Sequence, residues 1–403
     1  MSSPARMPWG LVSALSTAVL ISYGTIFYAF ALVIEPMERE LGWSKTALTA
    51  AFSLALGSSA LFSVPVGRLI DLGHGRAVMT GGSVLAALLL ALWAQTDNYL
   101  GFLLIWFGLG IAMSAVLYEP AFAVLAGHLG LLTRRGITIM TLVAGFASTV
   151  FIPLTHLLIE SFGWRGALLV LAAMNLGLCA VLEGLSIPRA AGPVEHSGAA
   201  HAAAPPVSNP RRVLSSASFW FFVVTSVLQG MISTGIPVHL IPMLVERGFS
   251  LDMAVVAYAV IGPAQVAARF LSGLGERALS LKGIGVLTMG LNVLAFALLP
   301  FIPAGSWLVM VFVALYGASN GMMTIVRALL PPELFGREDY GAIQGMIAMP
   351  VRIAMAATPF AFGALWAWWG DYDAVVASCF AMAFGSFAAF MLNLAVARNG
   401  GSR

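Results

Sequence analysis

The stretch YLGFLLIWFGLGIAMSAVLYEPAFAVLAG, residues 99–127, decides the class of this protein. It runs for 29 residues with Glu119 as its only charged side chain. A helix of about 20 apolar residues crosses the hydrocarbon of a bilayer, so the stretch predicts a transmembrane helix. The whole 403-residue chain has the same character, with 60% hydrophobic residues, 9% charged residues and a mean hydropathy of +0.94. This composition excludes a set of soluble domains.

Apolar runs of this length recur twelve times, separated by short polar or Gly- and Pro-containing stretches. Their approximate bounds are 9–34, 45–69, 77–95, 99–127, 136–159 and 163–187 in the first half and 217–243, 252–275, 282–301, 305–329, 339–366 and 373–397 in the second. We therefore expect an all-α integral membrane protein with twelve transmembrane helices. The Ala- and Pro-rich residues 188–216 predict a cytoplasmic linker between two six-helix halves, residues 1–187 and 217–403.

The distribution of positive charge predicts the orientation. With the N-terminus inside, the cytoplasmic segments hold thirteen Lys and Arg residues and the outer loops hold four. Cytoplasmic loops collect positive residues, so both termini are expected in the cytoplasm of a cell membrane, of the bacterial inner-membrane type.

Several function classes are excluded at this stage. The net charge of +3 gives no basis for a nucleic-acid partner, and two cysteines give none for a disulfide framework. The chain contains no metal-binding, nucleotide-binding or catalytic motif, so we expect neither an enzyme nor a metal or cofactor.

The two halves share an internal repeat. Pro36–Ser44 (PMERELGWS) and Pro242–Ser250 (PMLVERGFS) agree at five of nine positions. Two further matches lie in register: Arg68 and Arg76 align with Arg269 and Arg277, and residues 107–119 align with residues 316–328. A nearly constant offset in the same orientation predicts a parallel six-plus-six repeat, an arrangement that binds substrate near the membrane midplane.

These features resemble the major facilitator superfamily. The loop motif Gly67-x-x-x-Asp71 with Arg76 is similar to the superfamily's motif between the second and third helices, and Phe162-Gly-Trp-Arg165 also fits. More narrowly, Tyr28-Ala-Phe30, Pro36, Gly42-Trp-Ser44 and Phe52-Ser53 resemble the branch of monocarboxylate porters and oxalate:formate antiporters. The resemblance implies a secondary transporter of a small organic anion, working by alternating access.

The resemblance bears on how transport is coupled. Monocarboxylate porters carry an Asp four residues before the Arg of the eighth helix, where this chain has Gln265 before Arg269. Oxalate:formate antiporters carry one cation on the eighth helix and another on the eleventh, a pattern that Arg269 and Arg352 fit. Antiport and proton symport both stay open.

Charged side chains within the spans are the main candidates for function. A charge at the bilayer centre costs roughly 2.5–3.5 kcal/mol on the insertion scale, so it needs a compensating role. Arg352 follows the helix-kinking Pro350 and presents a planar fork that matches a carboxylate. Arg269 is the second expected substrate ligand. The alternative for both arginines is a purely structural tie to neighbouring helices.

Glu119 and Arg327 occupy nearly equivalent places in the repeat. They predict a gate made in one access state and broken in the other, a permanent pair, or a proton-coupling carboxyl at Glu119. Weaker candidates for lining a substrate cavity are His239, Tyr23, Tyr28, Tyr118 and Gln229. We interpret Asp71, with Gly67 and Arg76, as a structural latch at the cytoplasmic helix ends.

Two other functions remain open. A proton-driven efflux pump for drugs or metalloids would depend on Glu119, and a non-transporting receptor or scaffold would need no charge at the midplane. The expected partners are a small anion, the lipid bilayer and possible coupling protons.

Overall fold

The computed structural model describes residues 7–189, 213–274, 280–336 and 339–400. Within these ranges the regular structure is helical. The α-helices are α1 (Trp9–Ser22), α2 (Ala29–Leu41), α3 (Lys45–Leu69), α4 (Gly75–Trp93), α5 (Tyr99–Val116), α6 (Tyr118–Leu129), α7 (Thr133–Ala144), α8 (Ala147–Met174), α9 (Ala180–Ser186), α10 (Ala217–Glu246), α11 (Leu251–Leu274), α12 (Leu281–Leu298), α13 (Leu308–Phe335), α14 (Tyr340–Trp369) and α15 (Asp373–Gly400).

Nine helical stretches in these ranges are long and apolar enough to cross a membrane. Two of them, Ala47–Trp93 with 47 residues and Tyr99–Ser186 with 88, far exceed one crossing. Glycines with positive φ interrupt both: Gly73 lies in the first, and Gly130 and Gly163 lie in the second. The chain therefore changes direction inside these stretches, although the helical hydrogen bonding continues almost without a gap.

The chain divides into two compact units. The first comprises Met1–Pro206 and Arg337–Met349, and the second comprises Val207–Gly336 and Pro350–Arg403. Corresponding helices pack in the same way within each unit. In the first unit α3 and α4 both pack on α5, and in the second α11 and α12 both pack on α13.

The repeated nonapeptide has the same structural role in both units. Gly42 and Gly248 adopt φ values of 69° and 84°, which end α2 and α10. The hydroxyls of Ser44 and Ser250 then accept hydrogen bonds from the backbone N–H groups of Ala47 and Met253, which caps the following helix. The matched residues are therefore those that a helix end and a helix start require.

Each unit has its own apolar core. Trp93, Phe102 and Trp106 pack edge to face in the first, and Phe296, Phe312 and Tyr316 pack together in the second. All six side chains are buried. Burial of large aromatic side chains stabilises each bundle, with a further contribution from ring geometry.

Several predicted features differ from the structure or lie outside its description. The fourth predicted span is not continuous: Leu117 is extended, with φ −84° and ψ −158°, between α5 and α6. Pro120 in the first turn of α6 is the local cause, because proline cannot donate to the preceding turn. Most of the predicted linker and Arg277 lie outside the described residues.

Candidate functional site

Arg269 is buried between α11 and α13, with 6% of its surface exposed. Its Nε donates to the Gly321 carbonyl at 3.1 Å, and its Nη2 donates to Gln265 Oε1 at 3.2 Å and Thr324 Oγ1 at 3.4 Å. Gly321 permits this approach, because a Cβ there would stand 2.4 Å from the Gln265 carbonyl oxygen. Three of its donated hydrogen bonds therefore go to uncharged oxygens.

Arg352 lies on α14 in the same unit as Arg269, and only 8% of it is exposed. Pro350 and Pro359 both interrupt the hydrogen bonding of this helix. The second unit thus holds two buried guanidinium groups inside candidate membrane spans. Both are planar, permanently charged donors suited to a carboxylate.

His239 on α10 uses both of its ring nitrogens. Nε2 lies 2.9 Å from the Pro359 carbonyl oxygen, and Nδ1 lies 3.1 Å from the Tyr372 hydroxyl. Since a carbonyl can only accept, Nε2 donates its hydrogen to the Pro359 carbonyl, and Nδ1 shares the second hydrogen bond with the Tyr372 hydroxyl. His239 therefore ties α10 to α14 and to the start of α15. Its predicted contact with substrate stays a prediction.

Gln229 is fully integrated in a polar network among α10, α12 and α13. Its Nε2 donates to Ser319 Oγ at 2.9 Å, and its Oε1 accepts from Asn292 Nδ2 at 2.7 Å. Ser319 in turn donates to the Thr288 carbonyl at 2.8 Å. This arrangement binds the three helices together, so a role of Gln229 in lining a cavity also stays a prediction.

The three predicted tyrosines come together in the first unit. Tyr23 and Tyr28 bound a π-helical segment between α1 and α2, and their ring centroids are 6.4 Å apart. The ring of Tyr118, at the break between α5 and α6, lies 4.8 Å from that of Tyr23. All three are half-buried. π-Helical segments and broken helices occur often at functional sites in membrane proteins.

Glu119 follows Tyr118 in the first turn of α6 and is half-buried. Arg327 is half-buried on α13 of the second unit. The pairing of these two residues as a gate stays a prediction.

Asp71 has a definite structural partner. Its Oδ1 and Oδ2 accept hydrogen bonds from the backbone N–H groups of Gly341 and Ala342, each at 2.8 Å, at the start of α14. Gly67 makes the contact possible, because a Cβ there would lie 2.0 Å from the Gly341 carbonyl oxygen. The carboxylate accepts hydrogen bonds from N–H groups of the first turn, which have no acceptor within the helix. Its negative charge also interacts favourably with the positive end of the helix dipole. Arg76 is half-buried at the start of α4.

A second intramembrane glutamate lies outside the set of predicted site residues. Glu183 on α9 is fully buried and accepts a hydrogen bond from Ser83 Oγ on α4 at 2.7 Å. The signal was present: Asn175, Cys179 and Glu183 recur at intervals of four, which places three polar side chains on one face of a helix.

Each unit also contains a hydrogen-bonded glutamate that was not predicted from the sequence. Glu40 accepts from Trp164 Nε1 at 2.6 Å and Arg165 Nε at 2.9 Å. At the same place in the repeat, Glu246 accepts from Trp366 Nε1 at 2.9 Å and from the Tyr372 backbone N–H at 2.7 Å. Each of the two matched glutamates thus connects helices within its own unit.

Comparison with known families identifies the protein's relatives. The sequence profile of the family described as Major Facilitator Superfamily matches residues 14–359, which is most of the chain. The chain belongs to the major facilitator superfamily. This membership confirms the resemblance drawn from the loop motif, and the chain is an integral membrane protein of the transporter class.

Individual relatives support the narrower resemblance. Monocarboxylate transporter 13 of Rattus norvegicus is 30% identical over 352 residues, which cover 84% of this chain and 76% of the relative. Monocarboxylate transporter 11 of Mus musculus is 29% identical over 326 residues, covering 72% and 67%. Within the superfamily, this chain is therefore similar in sequence to monocarboxylate transporters. Since these relatives are mammalian, a bacterial inner membrane stays a prediction.

Solved structures share the fold. The E. coli fucose:proton symporter FucP superposes with a TM-score of 0.70 at 15% identity, covering 96% of this chain and 98% of that one. The human organic anion transporter MFSD10 gives a TM-score of 0.65, also at 15% identity, over 98% and 100%. At these identities the likeness concerns the fold alone.

Proposed function

We propose that this superfamily member is a secondary transporter that moves a small organic anion, a mono- or dicarboxylate, by alternating access. The observation that carries the proposal is the burial of Arg269 and Arg352 within membrane spans of one unit. A guanidinium inside a bilayer is costly unless it has a function or a strong structural role. A carboxylate can accept two parallel hydrogen bonds from it.

The names of the relatives agree with this cargo. Two are monocarboxylate transporters, and one structure of the same fold is an organic anion transporter. A dicarboxylate would engage both arginines, whereas a monocarboxylate would engage one. In the transport step the bound anion is exposed first to one side of the membrane and then to the other. No covalent bond is made or broken.

The proposed topology has twelve crossings with both termini in the cytoplasm. Division of Ala47–Trp93 at Gly73, and of Tyr99–Ser186 at Gly130 and Gly163, supports this number. Each resulting segment is at least as long as one crossing needs. The excess of Lys and Arg in alternate loops supports the orientation.

Exchange in proteoliposomes tests the function. Vesicles that contain the purified chain are loaded with unlabelled lactate or succinate, and uptake of the radiolabelled anion is measured. We expect Arg352→Ala to reduce exchange by about tenfold or more, because the bound carboxylate loses charge-assisted hydrogen bonds. Arg352→Lys should recover part of the activity, since it keeps the charge and loses the fork.

The matched control is Arg39→Ala. Arg39 is exposed and pairs with Glu35 one turn away on α2, so its loss should leave exchange unchanged. Absence of exchange for every anion tested, or full activity of Arg352→Ala, would refute the proposal. Current measurements then distinguish the coupling modes, because exchange of a dianion for a monoanion moves charge and symport of a proton with a monoanion does not.

A further inference from the structure

A polar stripe on one helix face runs through the interior of the first unit. Asn175, Cys179 and Glu183 follow one another at four-residue intervals and are fully buried. Asn175 Nδ2 donates to Thr25 Oγ1 at 2.7 Å, and Cys179 Sγ lies 3.8 Å from the Ser22 hydroxyl. The stripe therefore contacts the π-helical segment Tyr23–Tyr28 at Asn175, the end of α1 at Cys179 and α4 at Glu183.

Glu183 has an incomplete hydrogen-bonding shell. Ser83 satisfies Oε2, while Oε1 is buried and makes no hydrogen bond to any described residue. The hydroxyl of Thr80, also on α4, is buried and equally unsatisfied among the described residues. Thr80 packs against Gly184, the residue that follows Glu183 on α9. A Cβ built on Gly184 would stand 3.6 Å from Thr80 Oγ1.

No Lys, Arg or His among the described residues forms an ion pair with Glu183. The titratable groups of the packed elements are few. Cys179 lies one turn earlier on the same face, α1 contributes none, and Arg76 lies about two turns before Ser83 on α4. The carboxyl group thus faces serine and threonine hydroxyls and a thiol.

An isolated carboxylate in this position would be unfavourable, because the side chain is fully buried and no cation among the described residues pairs with it. A proton on Oε1 removes the negative charge of the carboxylate. It also turns Oε1 into a hydrogen-bond donor on the side of the helix that packs near Thr80. The proton leaves a hydronium ion, whose O–H bond breaks to release water, and forms one O–H bond to the carboxylate, so the site gains one positive charge.

We propose that Glu183 is a proton-binding site of the first unit and that its protonation couples a proton to anion movement. This inference rests on the proposed transport function and names its coupling ion. Residue 265 is Gln in this chain, so the second unit lacks an acid beside Arg269 at that position. Glu183 supplies a titratable carboxyl elsewhere.

The stripe also provides a mechanical connection. Cys179 contacts Ser22 at the end of α1, and Asn175 contacts Thr25 inside the π-helical segment that carries Tyr23 and Tyr28. A charge on Glu183 alters how α9 packs on α4 and α1, and α1 leads directly to the tyrosines. Proton binding therefore reaches the predicted cavity-lining residues through contacts within one unit.

The second unit shows that a neutral side chain suits this kind of position. Asn393 on α15 lies 210 positions after Glu183, close to the repeat offset. Its amide is satisfied by Ser218, with Oδ1 accepting at 3.0 Å and Nδ2 donating to the Ser218 carbonyl at 3.1 Å. A neutral amide therefore satisfies the corresponding position of the second unit. Helix packing alone does not require a carboxyl group at Glu183 in the first unit.

Infrared spectroscopy of the purified protein tests proton binding directly. The C=O stretch of a protonated carboxylic acid is followed from acidic to alkaline pH in the unmodified chain, in Glu183→Gln and in Glu160→Gln. We expect the band to be lost in Glu183→Gln and kept in Glu160→Gln, because Glu160 is exposed and pairs with His156. Ser83→Ala should retain the band and move it to higher frequency, since the carbonyl loses one hydrogen bond.

Transport measurements test the coupling. With radiolabelled lactate, Glu183→Gln should reduce accumulation driven by a pH gradient by about tenfold. Exchange of lactate for lactate without a gradient should stay within about twofold of the unmodified chain. A band that survives in Glu183→Gln, or gradient-driven accumulation that is unaffected, would overturn the inference. Lack of lactate and succinate exchange in the unmodified chain would instead refute the proposed function, with the infrared result still standing.

Discussion

Asp71 and Gly341 are 270 positions apart in sequence, yet the Asp71 carboxylate accepts the Gly341 backbone N–H at 2.8 Å. The same carboxylate binds the N–H of Ala342, so one side chain caps the first turn of α14. The loop motif that identified the family is therefore a helix-capping device within the first unit. This geometry supports its interpretation as a latch.

Removal of the charge at Asp71 should loosen the start of α14. Asp71→Asn loses a charged acceptor at the positive end of the helix, so we expect a stability loss of about 1–2 kcal/mol. The melting temperature of the purified protein reports it. Asp252→Asn, in the exposed first turn of α11, serves as the control and should have a smaller effect. Equal melting temperatures for the two variants would contradict the capping role.

The acidic ties of the two units should act independently. Glu40→Gln weakens the bonds to Trp164 and Arg165, and Glu246→Gln weakens those to Trp366 and the Tyr372 backbone. Each variant should lose about 1–2 kcal/mol, since hydrogen bonds to charged groups are strengthened by the charge. The two ties share no partner, so the double variant should equal the sum within about 0.5 kcal/mol. Strong non-additivity in thermal unfolding would show coupling that the contacts do not provide.

Introduction of an acid at position 265 should change anion binding. In the native chain Gln265 Oε1 accepts from Arg269 at 3.2 Å, and Gln265→Asp places a carboxylate near that guanidinium. The added charge competes with a substrate carboxylate, so we expect lactate affinity to fall by about tenfold above the pH at which Asp ionises. Gln265→Asn provides the uncharged control of the same length. A pH-independent affinity in Gln265→Asp would argue against substrate contact by Arg269.

His239 should prove more important for stability than for binding. His239→Phe keeps an aromatic ring beside Phe362 but removes two hydrogen bonds, to the Pro359 carbonyl and to Tyr372. We expect a loss of about 2 kcal/mol, near 1 kcal/mol for each bond. Exchange measurements on the folded fraction should give an unchanged lactate affinity. A lower affinity with unchanged stability would instead support direct contact with substrate.

Alkaline pH should destabilise the second unit through Tyr372. Burial raises the pKa of this phenol, and the nearby Glu246 carboxylate adds to the increase. The unfolded chain releases the proton first, so the contribution to stability is complete below about pH 10 and is lost as the pH rises through the folded-state pKa. Tyr372→Phe should therefore flatten the alkaline fall in melting temperature. A fall as steep as in the unmodified chain would exclude Tyr372 as its source.

The sequence alone determined that the chain is a helical membrane protein with a parallel repeat. Apolar runs such as residues 99–127 have one stable solution in a bilayer, because every backbone N–H and C=O must be satisfied within the segment. The repeated nonapeptide was equally readable, since Gly42, Ser44 and their counterparts meet local requirements of helix ends and starts. Local rules suffice wherever the partner lies within one turn.

The tertiary structure decided what the polar side chains contact. Asp71 binds a helix start 270 positions away, and His239 and Gln229 are engaged with other helices. The four-residue spacing of Asn175, Cys179 and Glu183 is readable in the sequence, but the bond between Glu183 and Ser83 follows from the packing of α9 against α4. Each of these partners is set by how helices pack, and hydropathy carries no information on which face of a helix meets which neighbour.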